Sequence, residues 1–351
     1  MKRVMGLTII LAMSAMLLVG CGDDDADTTE APATTEAPAT TEAPATTEAP
    51  ATTEAPKSGE ATFGFSGWAV GYLPTAIAID RLNAMGYDIT AVELGGNSNQ
   101  IQAAVQGDVD ISALAQVMNA MDEGWAGKFF MGANTNEFIM VGKAEFTDCA
   151  SLDGARVAIH SQSSFVGQLA LQWFAQECPE ANPNVLIIEG SENRLAALLQ
   201  DQIEASPVDL QDWILLDNER PGDFAVTDNF VERFPILRAA FSADPAWMAE
   251  NEELVKDWIR VHLDVYEEIY ADPTILIEKG EQLLPQIDSA LLPDIVQVFI
   301  DYGVWTADGD LTDEGVQATI DFFAAGAPFI TITSPDQVVD RTYLDAVLAE
   351  R

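Results

Sequence analysis

Ser66, Gly67 and Trp68 follow a predicted apolar strand, and residues of these types commonly contact small ligands. The indole of Trp68 offers a flat face for stacking and one hydrogen-bond donor, with few rotatable bonds to immobilise. A tryptophan at such a position can equally belong to the core. The residue types predict recognition by stacking and hydrogen bonding, without covalent chemistry.

Gln162, Ser163 and Ser164 form a second polar segment, which stands between a predicted strand and a predicted helix. The unpaired N–H groups of a helix N-terminus bind oxyanions, and serine hydroxyls can assist them. Helix capping explains one of the serines but not the whole polar run that begins at His160. His160 could add a charge that responds to pH, although a structural role is the commoner one for a single histidine.

Asn97, Ser112 and Ala113 lie at the ends of predicted elements, where they could meet the same ligand. Helix capping and turn formation are the alternative roles of such residues. We therefore predict one binding site, built from strand ends and helix N-termini that face a cleft.

Catalytic patterns find little support in the chain. It has two histidines, His160 and His262, and no HExxH, GxSxG, paired CxxC or phosphate-loop motif. Its carboxylates follow from an acid-rich composition, so they do not indicate a paired-carboxylate hydrolase. Cys149 and Cys178 could form a disulfide in an oxidising compartment, but sequence separation says nothing about their distance. We expect no enzymatic activity, no cofactor and no metal.

The elements that would position the site occur twice. Gly96–Ser112 aligns without gaps on Gly190–Ser206 at an offset of 94, with five identical positions. In each copy a strand leads through glycine to a short amphipathic helix, and a turn with an acidic residue leads to another strand. Two such βαβ units predict two sheets with ligand-sized space at their strand ends. Chance similarity between two amphipathic helices is the alternative.

The other periodic segments complete an α/β pattern with a helical C-terminal tail. Strands are predicted at Ala61–Phe65, Phe129–Ala133, Phe138–Gly142, Arg156–Ile159 and Ile236–Ser242. Helices are predicted at Gly71–Met85, Phe165–Glu177, Glu252–Tyr270, Pro293–Tyr302, Glu314–Ala325 and Gln337–Leu348.

The N-terminus predicts export and attachment to the cell membrane. Lys2 and Arg3 precede an apolar run, Val4–Gly20, and Cys21 stands where the cut would fall. Residues 1–21 therefore look like a lipoprotein signal, in which Cys21 is acylated. A transmembrane anchor is the weaker alternative, because the apolar run is short for a span.

Residues 22–60 are predicted to be a disordered linker. Five copies of Thr-Thr-Glu-Ala-Pro fill the stretch from Thr28 to Pro56 and leave almost no large apolar side chain to bury. Repeated proline and like charge favour an extended chain.

The charge balance excludes one class of partner. The whole chain has a net charge of −41, and residues 61–351 carry 47 acidic against 13 basic residues. Such a surface repels nucleic acid and anionic membrane faces, so we expect no nucleic-acid partner. No second apolar run is long enough to span a bilayer.

Three segments resemble one family. Residues 95–112 are similar to the sequence that substrate-binding proteins of taurine, alkanesulfonate, nitrate and thiamine-precursor importers (SsuA/THI5-like, NMT1-like) carry after their second strand. Residues 151–159, Ser-Leu-Asp-Gly-Ala-Arg-Val-Ala-Ile, resemble the start of that family's second lobe. Residues 242–258 resemble its return strand and the helix that follows.

The resemblance implies a type II-like periplasmic-binding-protein fold, with two sheets joined by two hinge strands. Residues 61–142 and 242–351 would form lobe 1, and residues 143–241 would form lobe 2. The hinges would fall near Lys143–Cys149 and Phe234–Ser242. The implied role is capture of a small solute by hinge closure and delivery to an ABC permease, by a monomer anchored outside the cell membrane through Cys21.

The chain departs from the family at the end of the second repeat. Asp209 stands where relatives have an aromatic residue, and it is a carboxylate partner for a cationic or hydroxyl-bearing ligand. Arg194 is the only cation that we can place near the cleft, and a solvated helix residue is its more common role. The solute thus stays open. So do a sensing or adhesion lipoprotein of the same fold and, less favoured, an extracytoplasmic enzyme.

Overall fold

The structure is a computed structural model that describes residues 57–309 and 311–351. The predicted signal at 1–21, its Cys21 and most of the predicted linker at 22–60 lie outside the described residues. The end of that linker belongs to the fold. The Lys57 N–H donates to the Met85 carbonyl at 3.1 Å, the Lys57 ammonium lies 3.3 Å from the Asp257 carboxylate, and Glu60 begins the first strand. The folded part therefore includes residues 57–60, which we predicted to be linker.

Ten strands form two sheets of five. They are β1 Glu60–Phe65, β2 Asp88–Glu93, β3 Ile111–Ala113, β4 Lys128–Thr135, β5 Phe138–Lys143, β6 Arg156–Ile159, β7 Asn184–Ile187, β8 Ala205–Asp209, β9 Phe224–Asp228 and β10 Leu237–Ala243. The sheet orders are β2-β1-β3-β10-β4 and β7-β6-β8-β5-β9. In each sheet the first three strands of this order are parallel. The fourth strand, β10 or β5, is antiparallel to the third and to the fifth. The matching orders confirm that the sequence repeat is a structural one.

Thirteen helices surround the two sheets in the described residues. They are α1 Leu73–Met85, α2 Asn97–Gln106, α3 Met118–Asp122, α4 Phe165–Glu177, α5 Ser191–Leu199, α6 Leu210–Glu219, α7 Phe230–Arg233, α8 Pro245–Glu250, α9 Glu252–Ala271, α10 Thr274–Leu283, α11 Leu292–Asp301, α12 Asp313–Gly326 and α13 Thr342–Glu350. None of these helices has both the length and the apolar content that a membrane span requires.

The last helix begins later than predicted. We expected a helix over Gln337–Leu348, but Val338 and Val339 run beside β4 instead. The Phe129 N–H donates to the Val338 carbonyl at 2.8 Å, and Phe129 forms a parallel bridge with Val339. Backbone pairing with an exposed edge strand outweighs the helical pattern there.

The chain changes sheet twice, and the first change comes earlier than predicted. Strand β4 ends at Thr135 in the first sheet, and β5 begins at Phe138 in the second, so Asn136 and Glu137 make the crossing. Residues 138–142, which we predicted to lie in lobe 1, pair with β8 and β9. An apolar strand fits either sheet, so its pattern alone did not locate the change. The chain returns over residues 229–236, and β10 lies wholly in the first sheet.

Two C-terminal helices pack against the second lobe. Helix α12 contacts α4, where Gln172 Nε2 donates to the Phe322 carbonyl at 2.8 Å and the rings of Phe165 and Phe322 lie 5.4 Å apart. Helix α11 packs against α6. The apolar core is therefore continuous past both crossings.

Cys149 and Cys178 form a disulfide with their Cα atoms 5.9 Å apart. The pairing that the sequence left open is thus made in the structure. It joins the segment before β6 to the end of α4, within the second lobe.

Candidate functional site

A cleft of about 550 Å³ lies between the two sheets. Its walls are the carboxyl ends of parallel strands and the helix N-termini that follow them, and its floor contains Glu137 of the first chain crossing and Arg238 at the start of β10. Such strand ends are where open α/β sheets place ligands. The cleft is therefore the candidate site, and its size is that of small-molecule pockets.

The first-lobe wall is formed by Ser66 and by the start of α2. Gly95 has φ of 71°, a left-handed conformation that favours glycine and turns the chain from β2 into the helix. The N-cap, Gly96, has no side chain to cap the first turn, and Asn97 and Ser98 line the cleft. The N–H groups of this turn are therefore open to a polar ligand.

The second-lobe wall contains the predicted serine segment. Ser164 is the N-cap of α4: its Oγ accepts from the Gly167 N–H at 3.0 Å and donates to the Ser161 carbonyl at 2.8 Å. Ser163 is exposed and lines the cleft. Its carbonyl accepts a hydrogen bond of 3.4 Å from Gln116 Nε2 on the opposite lobe. The two walls thus touch at the cleft.

His160 lies on the same wall and supports the neighbouring loop. Its Nδ1 accepts from the Gly190 N–H at 3.2 Å, just before α5. His160 and Gly190 both line the cleft. This contact gives His160 a positioning role in the loop between β7 and α5.

The floor of the cleft holds an acid from the first crossing, Glu137, and a base from the start of β10, Arg238. The Glu137 Oε1 and Arg238 Nε atoms are 3.8 Å apart, and the two side chains are 13% and 14% exposed. Burial raises the pKa of Glu137 to about 7, against the opposing effect of Arg238. Arg238 also lies over the ring of Phe165, with 5.8 Å between the guanidinium carbon and the ring centroid.

Asp209 lies beside this floor at the N-cap of α6. Its Oδ1 accepts from the Asp212 N–H at 2.8 Å, and burial raises the pKa of Asp209. Arg194 is only 2% exposed, and its Nη1 donates to the carbonyls of Ile188 and Gly190 at 3.3 and 3.0 Å. Burial lowers the pKa of Arg194. The expectation of a solvated Arg194 is therefore wrong.

The structure brings half of the predicted ligand contacts together. Ser66, Asn97, Ser163, Ser164 and Asp209 line the cleft. The other five, which are Gly67, Trp68, Ser112, Ala113 and Gln162, lie outside its lining.

Three of these five residues, which are Trp68, Ser112 and Ala113, make contacts within the first lobe. Trp68 is half-buried and packs on Phe65, with ring centroids 4.3 Å apart. Ser112 and Ala113 are buried in β3 between β1 and β10, where Ser112 Oγ accepts from Gln100 Nε2 and the Ala113 carbonyl accepts from the Tyr72 hydroxyl.

The two floor residues, Glu137 and Arg238, were not predicted from the sequence. Arg238 is the single charge in the apolar run Leu237–Ala243, and such an interruption is a usable signal of function. Glu137 follows an apolar strand, but its importance depends on where the chain changes sheet.

No family model matches the chain, and no curated protein matches its sequence. The chain is similar in structure to the ligand-binding component of an ABC-type import system from Staphylococcus aureus, with TM-score 0.65, 13% identity and coverage of 82% of this chain and 98% of that one. It is also similar to the periplasmic aliphatic sulphonate binding protein SsuA from Escherichia coli, with TM-score 0.64, 12% identity and coverage of 80% and 92%.

A third similar structure is a Candida albicans gene product described as having the generic periplasmic binding protein fold. Its TM-score is 0.60 at 12% identity, with coverage of 81% of this chain and 96% of that one. Together with the two five-stranded sheets and their shared strand order, these similarities assign the chain the two-lobed fold of the periplasmic binding proteins.

Proposed function

We propose that the chain is an extracytoplasmic solute-binding lipoprotein of the SsuA/THI5-like family, which captures a small molecule and delivers it to an ABC importer. The observation that carries this proposal is the cleft of about 550 Å³, to which both lobes, Glu137 of the first chain crossing and Arg238 at the start of β10 contribute. A ligand there would contact both lobes at once. Its binding energy would then favour the closed arrangement over an open one.

Hinge closure is part of the proposal. Asn136–Glu137 and residues 229–236 are the two backbone connections between the sheets, so a change of lobe angle would be absorbed there. Gln116 and Ser163 would separate on opening, because their hydrogen bond crosses the cleft.

Attachment through Cys21 completes the proposal. An acylated Cys21 and a linker rich in Thr, Glu, Ala and Pro would keep a monomeric receptor near its permease. Replacement of Cys21 by Ala should release the protein from the membrane fraction. Continued fractionation with membranes would contradict the lipoprotein assignment.

The solute-binding role is tested by a thermal-shift screen against sulfonates, nitrate, pyrimidines, amines, amino acids and polyols. A solute at a hundredfold excess over its Kd adds about 2.7 kcal/mol to the free energy of unfolding. One chemical class should raise the melting temperature of the wild type. Ser163→Trp should abolish the shift because the indole would fill the cleft.

Gln176→Trp is the matched control, since Gln176 is exposed near the end of α4, away from the cleft. A shift that survives in Ser163→Trp would place the binding elsewhere. Delivery is tested separately, by uptake of the identified solute in cells with and without the protein; equal uptake would favour sensing over transport.

A further inference from the structure

We propose that the solute is a compact zwitterion of the amino-acid type, with its ammonium group at Glu137 and Asp209 and its oxyanion at Arg238. This inference rests on the proposed solute-binding function and names the chemistry of the same cleft. The three side chains come from the first crossing, the second lobe and the start of β10 in the first sheet, and all three line the cleft.

The chain topology brings the two carboxylates to one place. Strands β5 and β8 are antiparallel neighbours, and Phe138 lies opposite Asp209. Leu210 follows Asp209, Glu137 precedes Phe138, and the Leu210 N–H donates to the Glu137 carbonyl at 3.0 Å. The pairing of the two strands therefore extends to Glu137. Two acidic side chains thus stand side by side at the floor.

The two carboxylates are only partly neutralised, Glu137 by Arg238 and Asp209 by Arg194 and Arg238. Asn134 Nδ2 donates to Glu137 Oε2 at 3.1 Å, and Oε1 lies 3.8 Å from Arg238, beyond hydrogen-bond distance. Burial raises the pKa of both Glu137 and Asp209, and the Asp209 carboxylate raises the pKa of Glu137 further. An ammonium group placed between them would stabilise both ionised forms.

The Arg238 guanidinium, in turn, has donors that need an acceptor. Nε and Nη1 of Arg238 are buried and have no hydrogen-bond partner among the described residues. Buried donors without acceptors cost about 1–3 kcal/mol each, more when they are charged. A carboxylate or another oxyanion would accept from both nitrogens in the bidentate geometry that arginine favours.

The other charges near the floor are partly occupied by contacts within the protein. The Arg194 guanidinium donates to two backbone carbonyls and faces Asp212, which is 4% exposed and lies behind the cleft lining. Glu189 is exposed at the rim. Arg194 lines the cleft as well, and its Nε is buried without a partner among the described residues. Apart from Glu189, the cleft therefore presents two acids and two bases, and of the two bases only Arg194 is held by backbone carbonyls.

A zwitterion satisfies all three groups, whereas a simple ion does not. A cation without an oxyanion would leave the Arg238 donors buried and unpaired. An anion without an ammonium group would lie beside two carboxylates. The rings of Tyr72, Phe138 and Phe165 line the same cleft and offer an apolar surface for the rest of the molecule.

The test uses matched triplets of compounds with the full chain. Each triplet shares one side chain: an amino acid, the corresponding 2-hydroxy acid and the amine without the carboxylate, for example alanine, lactate and ethylamine. Binding is measured by thermal shift and then by calorimetry for wild type, Glu137→Gln/Asp209→Asn, Arg238→Gln and the control Glu219→Gln. Glu219 is exposed at the end of α6 and lies outside the cleft.

An amino acid should bind the wild type, and its hydroxy acid and amine should bind about 10- to 100-fold more weakly, because each lacks one charge-assisted contact. Glu137→Gln/Asp209→Asn should weaken the amino acid by a similar factor and should not weaken the hydroxy acid, because two charges that repel its carboxylate are removed. Arg238→Gln should weaken the amino acid and should not weaken the amine, because a charge of the same sign as the ammonium is removed. Asn at 209 retains an oxygen that can cap α6, so folding should persist.

Two other outcomes separate the two proposals. A solute without an ammonium group that binds in the cleft, and keeps its affinity in Glu137→Gln/Asp209→Asn, would overturn the zwitterion inference and leave the solute-binding function intact. Failure of every compound in the triplets and in the broader solute screen would overturn both.

Discussion

The two lobes repeat one topology but treat the same buried position differently. Gln100 in α2 and Arg194 in α5 occupy equivalent places in the repeat, and they are 0% and 2% exposed. Gln100 Nε2 donates to the Gly64 carbonyl at 3.1 Å and to Ser112 Oγ at 3.0 Å. Arg194 donates to two carbonyls and carries a charge that must be matched nearby.

The charge of Arg194 is matched by acids that only the second lobe has. Asp209 and Asp212 correspond to Ala115 and Met118 at the same offset in the first lobe. Burial raises the pKa of Asp212 well above its usual range, and Asp209 raises it further while Arg194 opposes both effects. A neutral amide satisfies its partners at small cost, whereas a buried ion pair requires complete pairing. At this repeated position, therefore, the second lobe buries charged groups where the first lobe buries a neutral amide.

Removal of the buried charge should have the largest effect. Arg194→Met should lower the free energy of unfolding by about 3–5 kcal/mol, because it leaves Asp212 buried beside Asp209 without a cation. Gln100→Met, the matched change in the first lobe, should cost about 1–3 kcal/mol. Urea unfolding measures both, and Arg194→Met/Asp212→Asn should recover part of the loss. Equal costs for the two single changes would break the comparison.

Loss of the disulfide should have the next largest effect, and only the second lobe has one among the described residues. Cys149→Ala/Cys178→Ala should cost about 2–4 kcal/mol, because the unfolded chain gains freedom. Hydrogen exchange should show the loss first in β6 and α4. A uniform loss of protection in both lobes would mean that they unfold as one unit.

A lower pH should have opposite effects on the stability of the two lobes. Burial lowers the pKa of His262 in α9 to about 3, so between pH 6.5 and 3 the unfolded chain binds a proton that the native state does not. The first lobe should lose about 2 kcal/mol between pH 6.5 and 5.

The second lobe should instead gain stability as the pH falls. The native pKa values of Asp209 and Asp212 are raised, so their contribution is most favourable below the unfolded values and is lost as pH rises. Hydrogen exchange at pH 7 and 5, corrected for intrinsic rates, should show selective weakening around α9. Unchanged protection of α9 at pH 5 would contradict the depressed pKa of His262.

The repeat was predictable because local patterns carry it. Apolar alternation and the helical period placed β6 at Arg156–Ile159 and α4 at Phe165–Glu177, and both bounds agree with the structure. Helix α6 and strand β9 were missed. The segment that forms α6 contains Trp213 and several apolar residues and follows Pro207, so its period alone was ambiguous.

The candidate site was predictable only where it follows local elements. Strand ends and helix N-termini indicated Ser66, Asn97 and Ser163, because their positions follow from the elements beside them. Glu137 and Arg238 are far apart in the chain and meet only because β10 returns next to β3 and β4. Contacts that depend on strand order over that separation have no local signature.

The ordered start of the folded part has a mechanical consequence. Lys57 is fixed to Met85 and Asp257 just before β1, whereas the cleft adjoins the opposite end of that strand. Six residues of β1 correspond to a distance of about 20 Å. Tension applied at Lys57 would act in shear on the hydrogen bonds of β1 with β2 and β3, beginning at the end of β1 that is remote from the cleft. A pull from that side would therefore leave the mouth of the cleft clear.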